Sequence, residues 1–212
     1  MTQGSRHPQE PRRKRANGEQ SRRKILEAAA EVAGERGYEG TSIALVSAKC
    51  GLPASSIYWH FKDKDDLIAA VIESSFERWL SAIELSGDPD AAPLDRGLAL
   101  AAQVAKALLD APDFLRLGLM LTLERRPEEP RARTMFLQVR QVASEQVAAV
   151  FRKSAPALDE AEIRLLTTYA ISGADGLFIA KEIGGPNVDL AELFAVHAHA
   201  VFAAMTRLSS QH

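Results

Sequence analysis

One cysteine, Cys50, in 212 residues excludes an intramolecular disulfide and any cysteine-based zinc site. No run of 18 or more apolar residues occurs, so no membrane-spanning helix of ordinary length is expected. The N-terminus is basic and polar and lacks the apolar stretch of a secretory signal, which fits a cytoplasmic protein. No period-2 alternation of any length marks a strand, no glycine-rich phosphate loop is present, and no Gly-x-Ser-x-Gly elbow occurs. His197 and His199 stand two apart, about 200° around a helix, whereas helical metal pairs use a spacing of three or four. The chain is therefore read as having no catalytic residues, no metal and no cofactor.

What is present is ordinary globular composition, with 46% apolar and 25% charged residues, and an uneven distribution of charge. Residues 1–64 carry 12 Lys/Arg against 7 Asp/Glu, while the remaining residues carry 14 against 21. A basic head on an acidic body points to a polyanion bound at the head.

The head holds the most informative stretch, Thr41 to Phe61. Ile43, Val46 and Cys50 recur at helical spacing and face a core, Cys50 as a small apolar residue. Gly51 stands where a helix end favours positive φ, and Pro53 suits the start of the next helix. In that second helix only Ile57 and Phe61 need point inward. Ser55, Ser56, Tyr58, Trp59 and His60 are left on a face suited to a major groove and its phosphates.

This stretch resembles the DNA-binding region of the TetR family of bacterial repressors. The likeness rests on Tyr38-Glu39-Gly40-Thr41-Ser42, on Gly51-Leu52, on Ser56-Ile57-Tyr58-Trp59-His60-Phe61 and on Lys62-Asp63-Lys64-Asp65-Asp66-Leu67, about 50 residues in all. Pro53 stands where the family often has Ser, so a side-chain cap is lost there, and Ala44 and Leu45 occupy positions that are usually polar. Motif and resemblance together imply a DNA-facing set of Arg22, Thr41, Ser42, Ala54, Ser55, Ser56, Tyr58, Trp59, His60, Lys62 and Lys64. They also imply a homodimer on a palindromic double-stranded operator, and a small apolar or amphipathic effector that weakens DNA binding.

The expected organisation is all-α. Residues 1–17, with Arg12-Arg13-Lys14-Arg15, form a disordered basic arm that is either a solvated tail or a minor-groove or phosphate contact. Residues 18–63 form the helix-turn-helix domain (motif about 41–61), and residues 64–212 a helical effector-binding and dimerisation domain. Helix 1 is expected over about 19–36, stopped by Gly37. Its early Arg22, Arg23 and Lys24 oppose the helix dipole in a way that a nearby phosphate would explain. Helix 4 is expected over about 64–86, capped by Asp63 and ended by Gly87-Asp88-Pro89, with an apolar face broad enough to touch both head and body. Prolines punctuate further helices at about 93–110, 113–125, 129–154, 159–183 and 188–208.

Large apolar groups in the body, Trp79, Phe114, Leu117, Met120, Met135, Phe136, Val139, Tyr169 and Phe178, are candidates either for a plain helical core or for the lining of an effector pocket. Leu165, Leu166, Tyr169, Ala170, Gly173 and Leu177, with Leu193, Phe194, Val196, His197, Ala200, Val201, Ala204 and Met205, form stripes on the last two helices. Two copies of that pair would make a four-helix bundle. Asp175, within Ser172-Gly173-Ala174-Asp175-Gly176, is assigned to a small-residue packing seam. Two alternatives stay open: a helical binding protein or enzyme with a vestigial helix-turn-helix, and an architectural DNA-binding protein without an effector.

Overall fold

The computed structural model describes residues 10–84, 90–124 and 128–211, with side chains from residue 17 onward. The described residues form α1 (Glu10–Gly40), α2 (Ile43–Cys50), α3 (Ala54–His60), α4 (Lys64–Ser81), α5 (Pro93–Asp110), α6 (Asp113–Leu123), α7 (Arg131–Ser154), α8 (Glu160–Gly184) and α9 (Leu190–Ser209). A 3-10 turn at Gly185–Asn187 joins the last two, and no strand occurs among these residues. The all-α expectation holds. No described helix is long and apolar enough to cross a membrane.

Two boundaries differ from expectation. α1 begins at Glu10, so residues 10–17 of the expected disordered arm continue the helix, and residues 1–9 lie outside the described residues. Arg, Lys, Glu and Ala in this segment are good helix formers, and Pro11 falls in the first turn, where its missing N–H has no helical partner to lose. α4 ends at Ser81 with Ala82 as its cap, and the expected stop at 87–89 lies outside the described residues.

The head is shaped by three local devices. Gly37 takes φ 68 and ψ 179, which breaks α1. A Cβ there would sit 2.9 Å from Cε of Met120, so a side chain would also collide with α6. Ser42 caps α2 by accepting from the N–H of Leu45, and Gly51 closes that helix at φ 69. Pro53 opens α3 without a side-chain cap, as the sequence implies.

α4 is shared by head and body. One face buries Leu67, Ile68, Val71, Ile72 and Phe76 in a single apolar cluster that runs from Ile25, Val46 and Ile57 of the head to Leu117 and Phe136 of the body. Ser75, fully buried on this helix, donates to the Ala111 carbonyl and accepts from the N–H of Phe114, tying α4 to the α5–α6 corner. A second, smaller cluster of Phe151, Ile163, Leu166 and Met205 lies where α7, α8 and α9 meet. Carboxylate caps set the starts of the last two helices: Asp159 with Glu162 makes a capping box on α8, and Asp189 caps α9.

Candidate nucleic-acid interface and internal cavity

α3 is only seven residues long, and Ile57 and Phe61 anchor it inward, both buried. Tyr58 and Trp59 are consequently turned outward, 57% and 77% exposed. Ser55 is exposed, while Ala54, Ser56 and His60 are half-buried. Trp59 meets the His60 ring edge-on at 4.6 Å. Arg22 of α1 reaches over the Phe61 ring, its guanidinium carbon 5.6 Å from the centroid. Asn17, Gly18 and Ser21 of α1 face Ser55, Ser56, Trp59 and His60 across a shallow groove. The His60 imidazole is held below its ordinary pKa, chiefly because burial disfavours the charged ring and secondly because Arg22 is close. A neutral imidazole beside a basic side chain offers one N–H donor, and phosphate would favour its protonation.

Two members of the expected DNA-facing set make contacts within the protein, Thr41 buried and Lys64 half-buried. Thr41 is only 3% exposed, and its hydroxyl donates to the Gly37 carbonyl at 2.7 Å, satisfying a group that the break in α1 sets free. The Lys64 ammonium donates to the Tyr38 carbonyl at 3.1 Å, lies over the Tyr38 ring and is 3.6 Å from the Glu39 carboxylate. It clamps the corner between α1 and α2. Lys62 is exposed, and half-buried Ser42 serves as a helix cap.

The same corner is joined to the body. Asp65, in the first turn of α4, accepts from the Tyr38 hydroxyl at 3.1 Å and from the first backbone N–H groups of α7, Arg131 at 2.6 Å and Ala132 at 3.0 Å. Asp66 adds an ion pair to the Arg131 guanidinium. These carboxylates cap α7 from another helix, supplying negative charge where its dipole favours it.

Between the two apolar clusters lies a cavity of about 420 Å³, bounded by α4 to α9. Of the nine residues expected to line a pocket, Trp79 and Phe114 do so. Leu117, Phe136, Val139 and Phe178 are buried core instead, and Met135 packs against that core. Phe136 fills the space beside Gly118, where a Cβ would lie 2.0 Å from its ring. Met120 meets the head at Gly37, and Tyr169 stands outside on α8. Much of the lining is alanine and valine, including Ala101, Val104, Ala143 and Ala174.

The polar feature that sequence reading missed is a fork. Both guanidinium nitrogens of Arg140 on α7 donate to the two oxygens of Asp175 on α8, at 2.9 and 2.5 Å, and both residues line the cavity. Burial pushes the Asp175 carboxyl above its ordinary value, with Arg140 opposing. An acid on an otherwise apolar helix was a visible signal. Its partner, 35 residues away, was not.

The expected dimer stripe is mostly used within the chain. Leu166 is buried, Ala170 and Val201 line the cavity, and Leu177 and Ala204 pack on the core clusters. His197 Nε2 lies 2.9 Å from the Ala170 carbonyl, and a Cβ at Gly173 would be 2.2 Å from its ring. Tyr169, Val196 and Ala200 remain exposed. Outside, α8 presents Leu165, Tyr169, Ser172, Gly176, Ile179 and Ile183 at spacings of three and four. Ile183 is 83% exposed and Leu165 61%. The exposed stripe shares Leu165 and Tyr169 with the expected one and otherwise lies about one residue, or 100°, around the helix from it.

Residues 25–71 match the family model of bacterial regulatory proteins, tetR family. The chain is 32% identical over 84 residues to the HTH-type transcriptional regulator AcrR of Shigella flexneri, a match covering 37% of this chain and 39% of that protein's length. It is 25% identical over 174 residues to the HTH-type transcriptional repressor AcnR of Corynebacterium diphtheriae, covering 79% of this chain and 84% of the repressor. The transcriptional regulator FadR of Bacillus subtilis, solved in complex with stearoyl-CoA, has the same fold with a TM-score of 0.71. Identity to it is 16%, over 85% of this chain and 97% of that one.

Proposed function

We propose that this chain is a tetR-type regulator, on the match of residues 25–71 to that family's model and the likeness to known transcriptional regulators, and that it is a homodimeric repressor, released from a palindromic operator by a small molecule seated in the internal cavity. Tyr58, Trp59, Ser55, Ser56 and His60 of α3 enter the major groove, with Arg22 and Lys62 at the phosphates. The exposed faces of α8 and α9 pair two copies. The matched relatives are transcriptional regulators, which argues against a catalytic body with a vestigial motif. The stearoyl-CoA complex of the Bacillus subtilis regulator supports an amphipathic occupant for a cavity in this fold.

One observation carries the coupling: α4 and α7, two of the helices that wall the cavity, also hold the corner of the head. α4 has Trp79 at the cavity and Asp65 at the head, roughly 21 Å apart along the axis at 1.5 Å per residue. α7 has Arg140 at the cavity and Arg131 on Asp65 and Asp66, roughly 14 Å apart. A tilt of about 5° along α4, which is roughly 27 Å long, moves its end by roughly 2 Å. Two recognition helices need a spacing of about 34–36 Å to enter successive major grooves, so opposed shifts in two protomers break that fit. A ligand that prefers the shifted conformer depletes the DNA-binding one by its differential affinity, typically about 1–3 kcal/mol.

The test is threefold. Sedimentation should give a dimer at micromolar concentration, and footprinting on DNA flanking the gene should give a symmetric protected site. Asp65→Asn removes charge from the cap while keeping its shape, and should weaken ligand-induced release more than ligand binding. A monomer, or an unsymmetric footprint, would sink the reading. Release unaltered by Asp65→Asn would move the coupling off this contact.

A further inference from the structure

The cavity is long rather than round. Its lining runs on α7 from Arg140 to Ser154, on α5 from Pro93 to Leu108 and on α9 from Phe194 to Met205, roughly 21, 22 and 16 Å at 1.5 Å per residue. On α8 it covers only Ala170 to Asp175, roughly 8 Å. The long walls are in step. Leu108 and Phe194 share the larger apolar cluster, next to the level where Arg140 meets Asp175. Phe151 and Met205 meet in the smaller cluster at the other end.

The two ends differ. Towards the head the space is closed by Leu108, Phe114, Leu115 and Phe194, all buried. Arg140 and Asp175, beside that end, satisfy each other through both arms of the fork. Polar groups gather from the middle outward: Glu84, Gln103 and Gln146, then Arg96, Lys153 and Ser154. Of these, Glu84, Gln146, Lys153 and Ser154 are exposed. The α9 wall is apolar along its whole length except for His197, which is held to the Ala170 carbonyl. Apolar burial favours a molecule that follows this wall from end to end, and a polar group is least costly at the exposed end.

Resting on the reading of this cavity as the effector site, we propose that its ligand is a straight-chain amphiphile lying lengthwise along α5, α7 and α9. The chain end abuts Phe114 and Phe194, and the polar head sits at the exposed end beside Lys153 and Ser154. A compact molecule would occupy only part of this length.

Calorimetry on the full chain tests this with two head groups, each at two chain lengths: octanoate against tetradecanoate, and octan-1-ol against dodecan-1-ol. In each pair that wild type binds, the longer chain should bind at least tenfold more tightly, full burial being worth roughly fourfold per CH2. Ala143→Leu adds bulk near the closed end. It should weaken the longer chain at least tenfold and leave the octyl probe within about twofold, because only the longer chain reaches that end. Ala174→Leu, on α8 at the same end, serves if the first variant lowers the melting midpoint. Equal affinities within a bound pair overturn the straight-chain class. Equal losses of long and short probe in the variant overturn the lengthwise placement. Either result leaves the effector-site reading standing, whereas binding of none of the four by wild type removes that reading as well.

Discussion

α3 and α8 present their outer faces for opposite reasons. α3 has seven residues, held inward by Ile57 and by Phe61 at its end, so Ser55, Tyr58 and Trp59 face out. α8 has 25 residues with apolar side chains on both its inner and outer faces, and Gly173 is spent on its own neighbour, admitting the His197 ring. Its large apolar residues Leu165, Ile179 and Ile183 are the ones left outside. Small residues mark where helices approach closely but not whether the approach is within or between chains. Exposed large apolar residues in a row are the better sign of a surface that another copy covers.

The sharpest way to break this contrast is a pair of glycines three apart. Gly173→Glu drives a side chain into the His197 ring and buries a charge, and should cost the protomer about 3–5 kcal/mol. Gly176 has no atom within 4 Å of where a Cβ would stand, and lies mid-stripe on the exposed face. Gly176→Glu should leave protomer stability level or slightly improved by helix propensity, while shifting sedimentation from dimer to monomer. Dissociation by Gly173→Glu without loss of stability would restore the seam to the inner stripe. A dimer indifferent to Gly176→Glu would remove it from the outer one.

A second pair sharpens the α3 side, with intermediate effects. Ile57 and Tyr58 are adjacent, one fully buried and one exposed. Ile57→Ala should cost about 2–5 kcal/mol of stability through lost burial and a cavity. Tyr58→Ala should leave the urea midpoint in place and weaken operator binding by about 1–3 kcal/mol. Equal effects of Tyr58→Ala on stability and affinity would mean that the tyrosine packs rather than reads.

The contrast also explains which parts were legible beforehand. Helix limits such as Pro93–Asp110 follow from prolines and local periodicity, and came within a residue or two. The orientation of α3 followed because a short helix with two anchors has one solution. The contacts that Thr41 and Lys64 make within the chain were not legible, because the carbonyls that hold them, those of Gly37 and Tyr38, are exposed by a glycine kink whose direction periodicity does not give. The pocket was sought among the largest apolar residues. Most of those residues fill the core, Trp79 and Phe114 excepted, and the space remains where alanine and valine are too short to close it. Arg140 with Asp175, and Asp65 with the start of α7, join distant segments and leave no mark in local spacing.

The smallest effect is one that only the α3 face can show. His60 has a folded-state pKa below its ordinary value of 6.5, first from burial and then from Arg22. As pH falls, the unfolded chain therefore takes up this proton before the folded one. The stability contribution is full above about 6.5 and is lost as pH falls from there through the lower folded value. A phosphate at the imidazole acts in the opposite sense: it favours the charged ring, so operator binding takes up a proton and affinity rises as pH falls over the same window. Stability and affinity thus slope in opposite directions with pH at one residue. Urea midpoints and fluorescence anisotropy of a labelled operator, measured between about pH 8 and 5.5, should show both slopes. The difference between wild type and His60→Gln, which keeps a donor but does not titrate, isolates the part that belongs to this residue. If His60→Gln flattens the stability slope and leaves the affinity slope intact, the imidazole packs against Trp59 and Arg22 without touching a phosphate. The reading face would then be narrowed to Tyr58, Trp59 and the serines.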